Sequence, residues 1–221
     1  MKYKAVIFDL DGVICQTDEL HYLAWKALAD RLNIYFDHEI NNRMRGMSRM
    51  ACVDIILERA DREYSALEKE AFAAEKNAIY ADSLRKVGEK DVSDDVRETL
   101  KELKAKGISL AIASSSKNAP EILERIGLEV TFDAIADGHD LIPADDSPEP
   151  GLKAADRLEE LFLKAAEKLG FQPGDCLVAE DAVSGIDAGI AGGFITAGIG
   201  PAASYEKTDY KLKKLSELLA F

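Results

Sequence analysis

Short apolar runs punctuate the chain at 5–8, 110–113, 134–136, 176–179 and 194–199, each bounded by Gly, Asp or Ser. Runs of this length with such boundaries predict buried strands. Between them apolar residues recur at helical spacing, which predicts helices over 94–106, 118–126 and 183–191, closed by Gly107, Gly127 and Gly192. A longer amphipathic pattern covers 152–169, after a loop at 140–151 rich in Pro and Asp. Continuous apolar strands need cover on both faces, so strands alternating with helices predict an α/β fold built on a parallel sheet.

The first gap breaks this rhythm. About 100 residues separate the first strand from the second, where a crossover needs only about a dozen. Most of that gap reads as helices, at 21–32, 49–62 and 65–86. A helical domain is therefore expected inside the α/β domain, with residues 1–14 and 92–221 forming the core and 15–91 the inserted cap. No internal repeat or low-complexity linker interrupts this plan.

Composition narrows the function classes. A chain of 221 residues with 47% apolar content buries enough surface to fold unaided. Its formal charge of −13 argues against nucleic acid, whose binding releases counterions from a basic face. The same charge means that a phosphate-bearing substrate must be held by a few local cations against the overall field. Apolar runs fall short of the roughly 18 to 20 residues of a membrane span, and the N-terminus has no apolar leader segment. A cytoplasmic chain without membrane contact is expected, with a monomer as the default. Cys15, Cys52 and Cys176 are odd in number and lack metal-ligand spacing, so neither a disulfide framework nor a zinc site is implied.

In an open α/β sheet, ligands bind just beyond the carboxyl ends of the strands. There the first strand ends in Asp9-Leu10-Asp11, the second in Ser114-Ser115-Ser116-Lys117-Asn118, and the fourth in Glu180-Asp181. Four carboxylates at one sheet edge repel one another unless a hard divalent cation is shared, and oxygen-only ligands suit Mg²⁺. Taken alone, the serine run also reads as a cap for the helix that follows it.

Asp9-Leu10-Asp11-Gly12-Val13, the Ser114 turn and Glu180-Asp181 resemble three of the four motifs of the haloacid dehalogenase-like superfamily of phosphoryl-transfer enzymes, and the resemblance spans nearly the whole chain. Thr17, His21 and Trp25, the stretch Arg45-Gly46-Met47-Ser48-Arg49, Lys76-Asn77 with Tyr80, and Ser114 to Asn118 bring it closest to the β-phosphoglucomutase subfamily. The resemblance implies a Rossmann-like parallel-sheet core with an inserted α-helical cap. It also implies Mg²⁺ as cofactor and a small sugar phosphate as substrate, β-glucose 1-phosphate becoming glucose 6-phosphate through a bound glucose 1,6-bisphosphate.

By that resemblance Asp9 is the nucleophile, and a carboxylate, already ionised near neutral pH, needs no base to activate it. Asp9, the main-chain carbonyl of Asp11, Glu180 and Asp181 are the implied metal ligands. Ser114, with neighbouring N–H groups, cradles the transferring phosphoryl group. The carboxylate of Asp11 serves as general acid and base, oriented by Thr17. Arg49 and Lys117, with Ser116 and Asn118, grip the distal phosphate, while Gly46, Ser115, His21, Trp25 and Lys76 complete the substrate-binding set. Hinges near 14–17 and 86–91 let the helical insert act as a lid. On spacing alone, His21 and Trp25 lie one helical turn apart and read as a packing pair, and Lys76 reads as an ordinary surface lysine.

One motif departs from the pattern. Where the superfamily places a lysine after the third strand, this chain has Ser147-Pro148-Glu149-Pro150-Gly151. Losing one preorganised donor of that kind costs about 10² to 10³ in rate. Lys153 is one candidate replacement; a site that works slowly without a lysine and a remodelled segment without turnover are the others. Three functions follow: a mutase, a sugar-phosphate phosphatase of the same superfamily, and a phospho-sugar-binding protein with impaired catalysis.

Overall fold

Ala5–Phe8 is buried at every position, as a strand flanked on both sides must be. In the computed structural model, which describes residues 2–45, 47–141 and 154–221, it is the first of six strands. These are β1 (Ala5–Phe8), β2 (Ser109–Ala113), β3 (Ala134–Ala136), β4 (Cys176–Glu180), β5 (Ile195–Gly198) and β6 (Tyr210–Lys211). They form one parallel sheet in the order β3-β2-β1-β4-β5-β6. The α/β parallel-sheet core expected from the alternating pattern is therefore present.

Eight α-helices accompany the sheet: α1 (Asp18–Arg31), α2 (His38–Asn42), α3 (Arg49–Leu57), α4 (Ala66–Ser83), α5 (Asp94–Ala105), α6 (Ala119–Arg125), α7 (Ala154–Leu169) and α8 (Val183–Ala191), counted among the described residues. The chain divides into two compact units, residues 1–16 with 88–221, and residues 17–87. In the first unit α7 lays Leu158, Leu161, Phe162 and Ala165 against Ile7, Val178 and Phe194. Phe162 meets Phe194 edge-on at 6.1 Å between ring centres. Burying one such ring is worth about 1.5–3 kcal/mol, so this face is a main source of the sheet's stability.

The helical unit has a core of its own, in which Trp25, Leu28, Phe36, Ile40, Met44, Val53, Ile56 and Phe72 pack together. Local chemistry fixes its helix starts. Asp37 caps α2 and Ser48 caps α3. Ser65 and Glu68 form a reciprocal capping box at α4, which satisfies two backbone donors that the helix leaves over.

Several boundaries differ from the sequence-based expectation. The helix expected over 49–62 ends at Leu57, because the next six residues, Glu58 to Glu63, supply only Ala60 to an apolar face. The pattern over 65–86 divides into α4 and a 3₁₀ turn at Leu84–Lys86. Strand β6 and helix α2, two and five residues long, were too short to leave a periodic signal. Among the described residues no helix is long and apolar enough to cross a membrane.

Candidate active site

Register decides which polar residues meet. Phe8 is paired with Ala179 on one side and with Ile112 on the other, so the residues following β1, β4 and β2 emerge at one edge of the sheet. The backbone N–H of Asp9 donates to the carbonyl of Ala179 at 3.0 Å. Beyond Asp9 the chain reverses sharply: Ile14 and Cys15 donate back to the Leu10 carbonyl at 3.0 and 3.1 Å, and Gly12 donates to the Cys15 carbonyl at 2.8 Å. Gly12 sits at φ 88°, a left-handed conformation that a side chain disfavours. This reversal holds Asp11 at the sheet edge.

Carboxylate oxygens of Asp9, Glu180 and Asp181 lie within 4.8 Å of one another. Glu180 and Asp181 are buried, and Oε2 of Glu180 accepts the N–H of Ala182 at 2.8 Å. Burial first, then the negative charges of Glu180, Asp11 and Asp181, push the Asp9 carboxyl well above its ordinary range, against an opposing N–H donated by Leu10. Three converging, poorly solvated carboxylates are an arrangement that a shared hard cation relieves. The all-oxygen donor set and its compactness fit Mg²⁺, with Asp9, Glu180 and Asp181 as the side chains that would hold it.

The turn after β2 is tied to the end of β3 by Ser114 N–H donating to the Ala136 carbonyl at 3.0 Å. Ser114, itself buried, accepts the N–H of Ser116 at its Oγ, and Ser116 Oγ accepts the N–H of Asn118, both at 3.2 Å. Asn118, the N-cap residue of α6, makes no side-chain capping bond. The serine hydroxyls thus shape the turn itself, and Ser115 and Lys117 project to solvent from it.

The helical unit gathers a second polar group. His21 and Trp25 of α1 share a face, as their spacing predicts, and Lys76 of α4 lies against both. Its Nζ is 2.8 Å from His21 Nδ1, 4.8 Å from the Trp25 ring centre and 4.6 Å from that of Tyr80. The His21 ring lies over Tyr80 at 3.9 Å. Lys76 is only 3% exposed, so the reading of it as a surface lysine is corrected: two aromatic faces solvate the ammonium in place of water. An ammonium only donates, so Nδ1 of His21 accepts and the ring proton resides on Nε2. Cys52 is buried nearby on α3, its Sγ directed at the Met44 carbonyl at 3.7 Å, and burial pushes its thiol up to about 12. Arg49 opens α3, and partial burial lowers its guanidinium from the usual value. Thr17 is the buried N-cap residue of α1, with its carbonyl accepting from Leu20 and His21 at 3.0 and 3.2 Å.

Burial, then the charges of Lys76 and Arg49, hold the His21 imidazole well below its ordinary 6.5. Below pH 6.5 the unfolded chain therefore binds a proton that the folded chain refuses. Stability attributable to His21 is complete above that pH and falls as the pH drops, by at most about 1.4 kcal/mol per pH unit. Urea unfolding between about pH 5 and pH 7 checks this: His21→Gln is expected to show a shallower acid-side slope than the parent, and equal slopes would remove His21 as the cause.

The sequence reading missed the pair at the end of β3. Asp137, buried, accepts from the backbone N–H of His139 at 2.7 Å, and its Oδ1 lies 3.0 Å from the His139 ring Nδ1. Its signal was an Asp followed two residues later by His, just after a strand. Gly46, the segment Ser147 to Gly151 and Lys153 lie outside the described residues.

A model of the haloacid dehalogenase-like hydrolases matches residues 3–193. The β-phosphoglucomutase of Bacillus subtilis is 37% identical over 217 residues, covering 97% of this chain and 91% of that one. A phosphorylated carbohydrates phosphatase of Thermotoga maritima is 28% identical over 193 residues, 86% of this chain and 82% of that one. The crystal structure of β-phosphoglucomutase from Clostridium difficile superposes with a TM-score of 0.84 at 32% identity, over 98% of this chain and 93% of that one. With these likenesses running almost the full length of the chain, and with acidic residues clustered at the ends of its first and fourth strands, the chain belongs to the haloacid dehalogenase-like hydrolase family.

Proposed function

We propose that this chain is an Mg²⁺-dependent phosphotransferase that interconverts β-glucose 1-phosphate and glucose 6-phosphate through glucose 1,6-bisphosphate. The observation that supports it most directly is the convergence of the Asp9, Glu180 and Asp181 carboxylates at the sheet edge. Phosphoryl transfer asks for an oxygen nucleophile and for charge cancellation as it approaches a dianion. Mg²⁺, when bound, supplies that cancellation and a fixed point for the phosphate.

The chain's own residues divide the remaining work. A carboxylate oxygen of Asp9 attacks phosphorus, the bond from phosphorus to the donor oxygen breaks, and the phosphoryl group rests on Asp9 as an acyl phosphate. Asp11 gives a proton to the departing sugar oxygen and takes one from the sugar hydroxyl that attacks next. Ser114 Oγ and the N–H groups of its turn are assigned to the non-bridging oxygens. Arg49 and Lys117, with Ser116 and Asn118, are assigned to the distal phosphate, Gly46, Ser115, Trp25 and Lys76 to further substrate contacts, His21 to Asp11 and the substrate hydroxyl, and Thr17 to the orientation of Asp11.

A phosphatase is the second reading, favoured by the similarity to the Thermotoga maritima enzyme; water then attacks the acyl phosphate in place of a second sugar hydroxyl. Phosphorus NMR with Mg²⁺, β-glucose 1-phosphate and a trace of glucose 1,6-bisphosphate separates the readings. Glucose 6-phosphate is the expected product. Free phosphate makes the chain a phosphatase, and an unchanged spectrum overturns both readings.

A further inference from the structure

Helix α8 follows the Glu180-Asp181 pair and carries a glycine, Gly185, near its start. Glycine is a poor helix residue, and Gly185 has no left-handed backbone angle that would demand it. Space supplies the reason. A Cβ at this position would lie 2.0 Å from Cδ, 2.1 Å from Oε1 and 2.5 Å from Cγ of Glu180. Gly189, one turn further along α8, faces different groups: its Cβ would meet Thr196 Cγ2 at 3.0 Å and Val178 Cβ at 3.6 Å. So Gly189 sets the distance between helix and sheet, whereas Gly185 faces a carboxylate.

We propose that Gly185 is a positioning residue for the cation site, a missing side chain whose space the Glu180 carboxylate fills. Glu180 is 2% exposed. One of its oxygens is committed to the Ala182 N–H, and the bare backbone of α8 bounds the other. The three atoms nearest a methyl group at 185 all belong to the Glu180 side chain, so the fold can absorb it by moving Glu180. That movement takes an oxygen away from Asp9 and Asp181, whose carboxylates converge with it. The cost then falls on cation affinity and leaves the fold largely intact.

This inference rests on Asp9, Glu180 and Asp181 being cation ligands, and calorimetric titration of Mg²⁺ into substrate-free protein tests the two separately. Absence of Mg²⁺ binding by the parent protein overturns that reading of the site and the inference with it. Given binding, Gly185→Ala is expected to weaken Mg²⁺ about 10- to 100-fold, the range for losing a group that orients a ligand. The metal-free variant should still unfold cooperatively near the parent's midpoint. In a Glu180→Ala background, read with Mn²⁺ by electron paramagnetic resonance at higher concentration, the same substitution at 185 should have no further effect. Unchanged affinity in Gly185→Ala, or an equal loss in both backgrounds, overturns the proposal. Should Gly185→Ala fail to fold, the double variant decides: folding as well as Glu180→Ala alone places the conflict at the Glu180 side chain, and an equally unfolded double variant overturns it.

Discussion

Asp9→Asn is expected to reduce turnover of β-glucose 1-phosphate by about 10⁴-fold or more, on the scale seen when a covalent nucleophile is removed. The amide keeps the size and shape of the carboxyl but is a far weaker nucleophile, so no acyl phosphate forms. A second effect separates this loss from misfolding. In the metal-free protein the Asp9 carboxylate is buried and, beyond that, held against the negative charges of Glu180, Asp11 and Asp181. Its raised folded-state value means that the folded chain binds a proton more readily than the unfolded one, so stability due to this group is lost as pH rises through the folded value. Asn removes that repulsion, and metal-free Asp9→Asn is expected to unfold at a higher temperature than the parent at neutral pH. Mg²⁺ should stabilise it less than the parent, since one anionic oxygen is gone. Calorimetric unfolding with and without Mg²⁺, beside a turnover assay, reads all three. An inactive variant that is also less stable without metal would count against charge repulsion at Asp9 as a cost to the metal-free fold.

The features legible in the sequence were those carried by short-range pattern. Each strand carrying a site residue could be read from an apolar run closed by a polar residue, so Asp9, Ser114 and Glu180 could be placed at strand ends before any pairing was known. That β1 lies between β2 and β4 is a long-range property, reached through pairings across more than a hundred residues. Without it, the rule that ligands sit beyond the carboxyl ends of parallel strands put these carboxylates at one sheet edge but left open which strands are neighbours, and so which carboxylates converge. The helical unit gives the same lesson at smaller scale. Helical periodicity placed His21 beside Trp25, but nothing local to Lys76 indicates that it lies buried between the rings of Trp25 and Tyr80. Its burial depends on α1 meeting α4. Gly185 is the extreme case, because a glycine in a helix gives no hint of what occupies the space beside it until the carboxylate of Glu180 is seen there.

Asp11→Asn is expected to lower turnover of β-glucose 1-phosphate by about 10² to 10⁴, the usual contribution of a positioned general acid and base. Asp11 sits two residues beyond Asp9 in a backbone reversal, and its charge reaches Asp9, so a simple loss of rate would not tell proton transfer from an altered electrostatic field. The leaving group tells them apart. A sugar alkoxide needs a proton as it departs, whereas acetate, leaving from acetyl phosphate, is a weak base and departs without one. If Asp11 moves protons, Asp11→Asn should still accept a phosphoryl group from acetyl phosphate at close to the parent rate, measured as acetate released in the first turnover, while sugar-phosphate turnover collapses. Asp9→Asn should lose both reactions. Equal losses on both donors in Asp11→Asn would instead make Asp11 an electrostatic or structural support for Asp9. The comparison also bears on the choice between mutase and phosphatase: a sugar hydroxyl attacking the acyl phosphate must give up its proton, and Asp11, held at the sheet edge by the turn at Gly12, is the base assigned to take it.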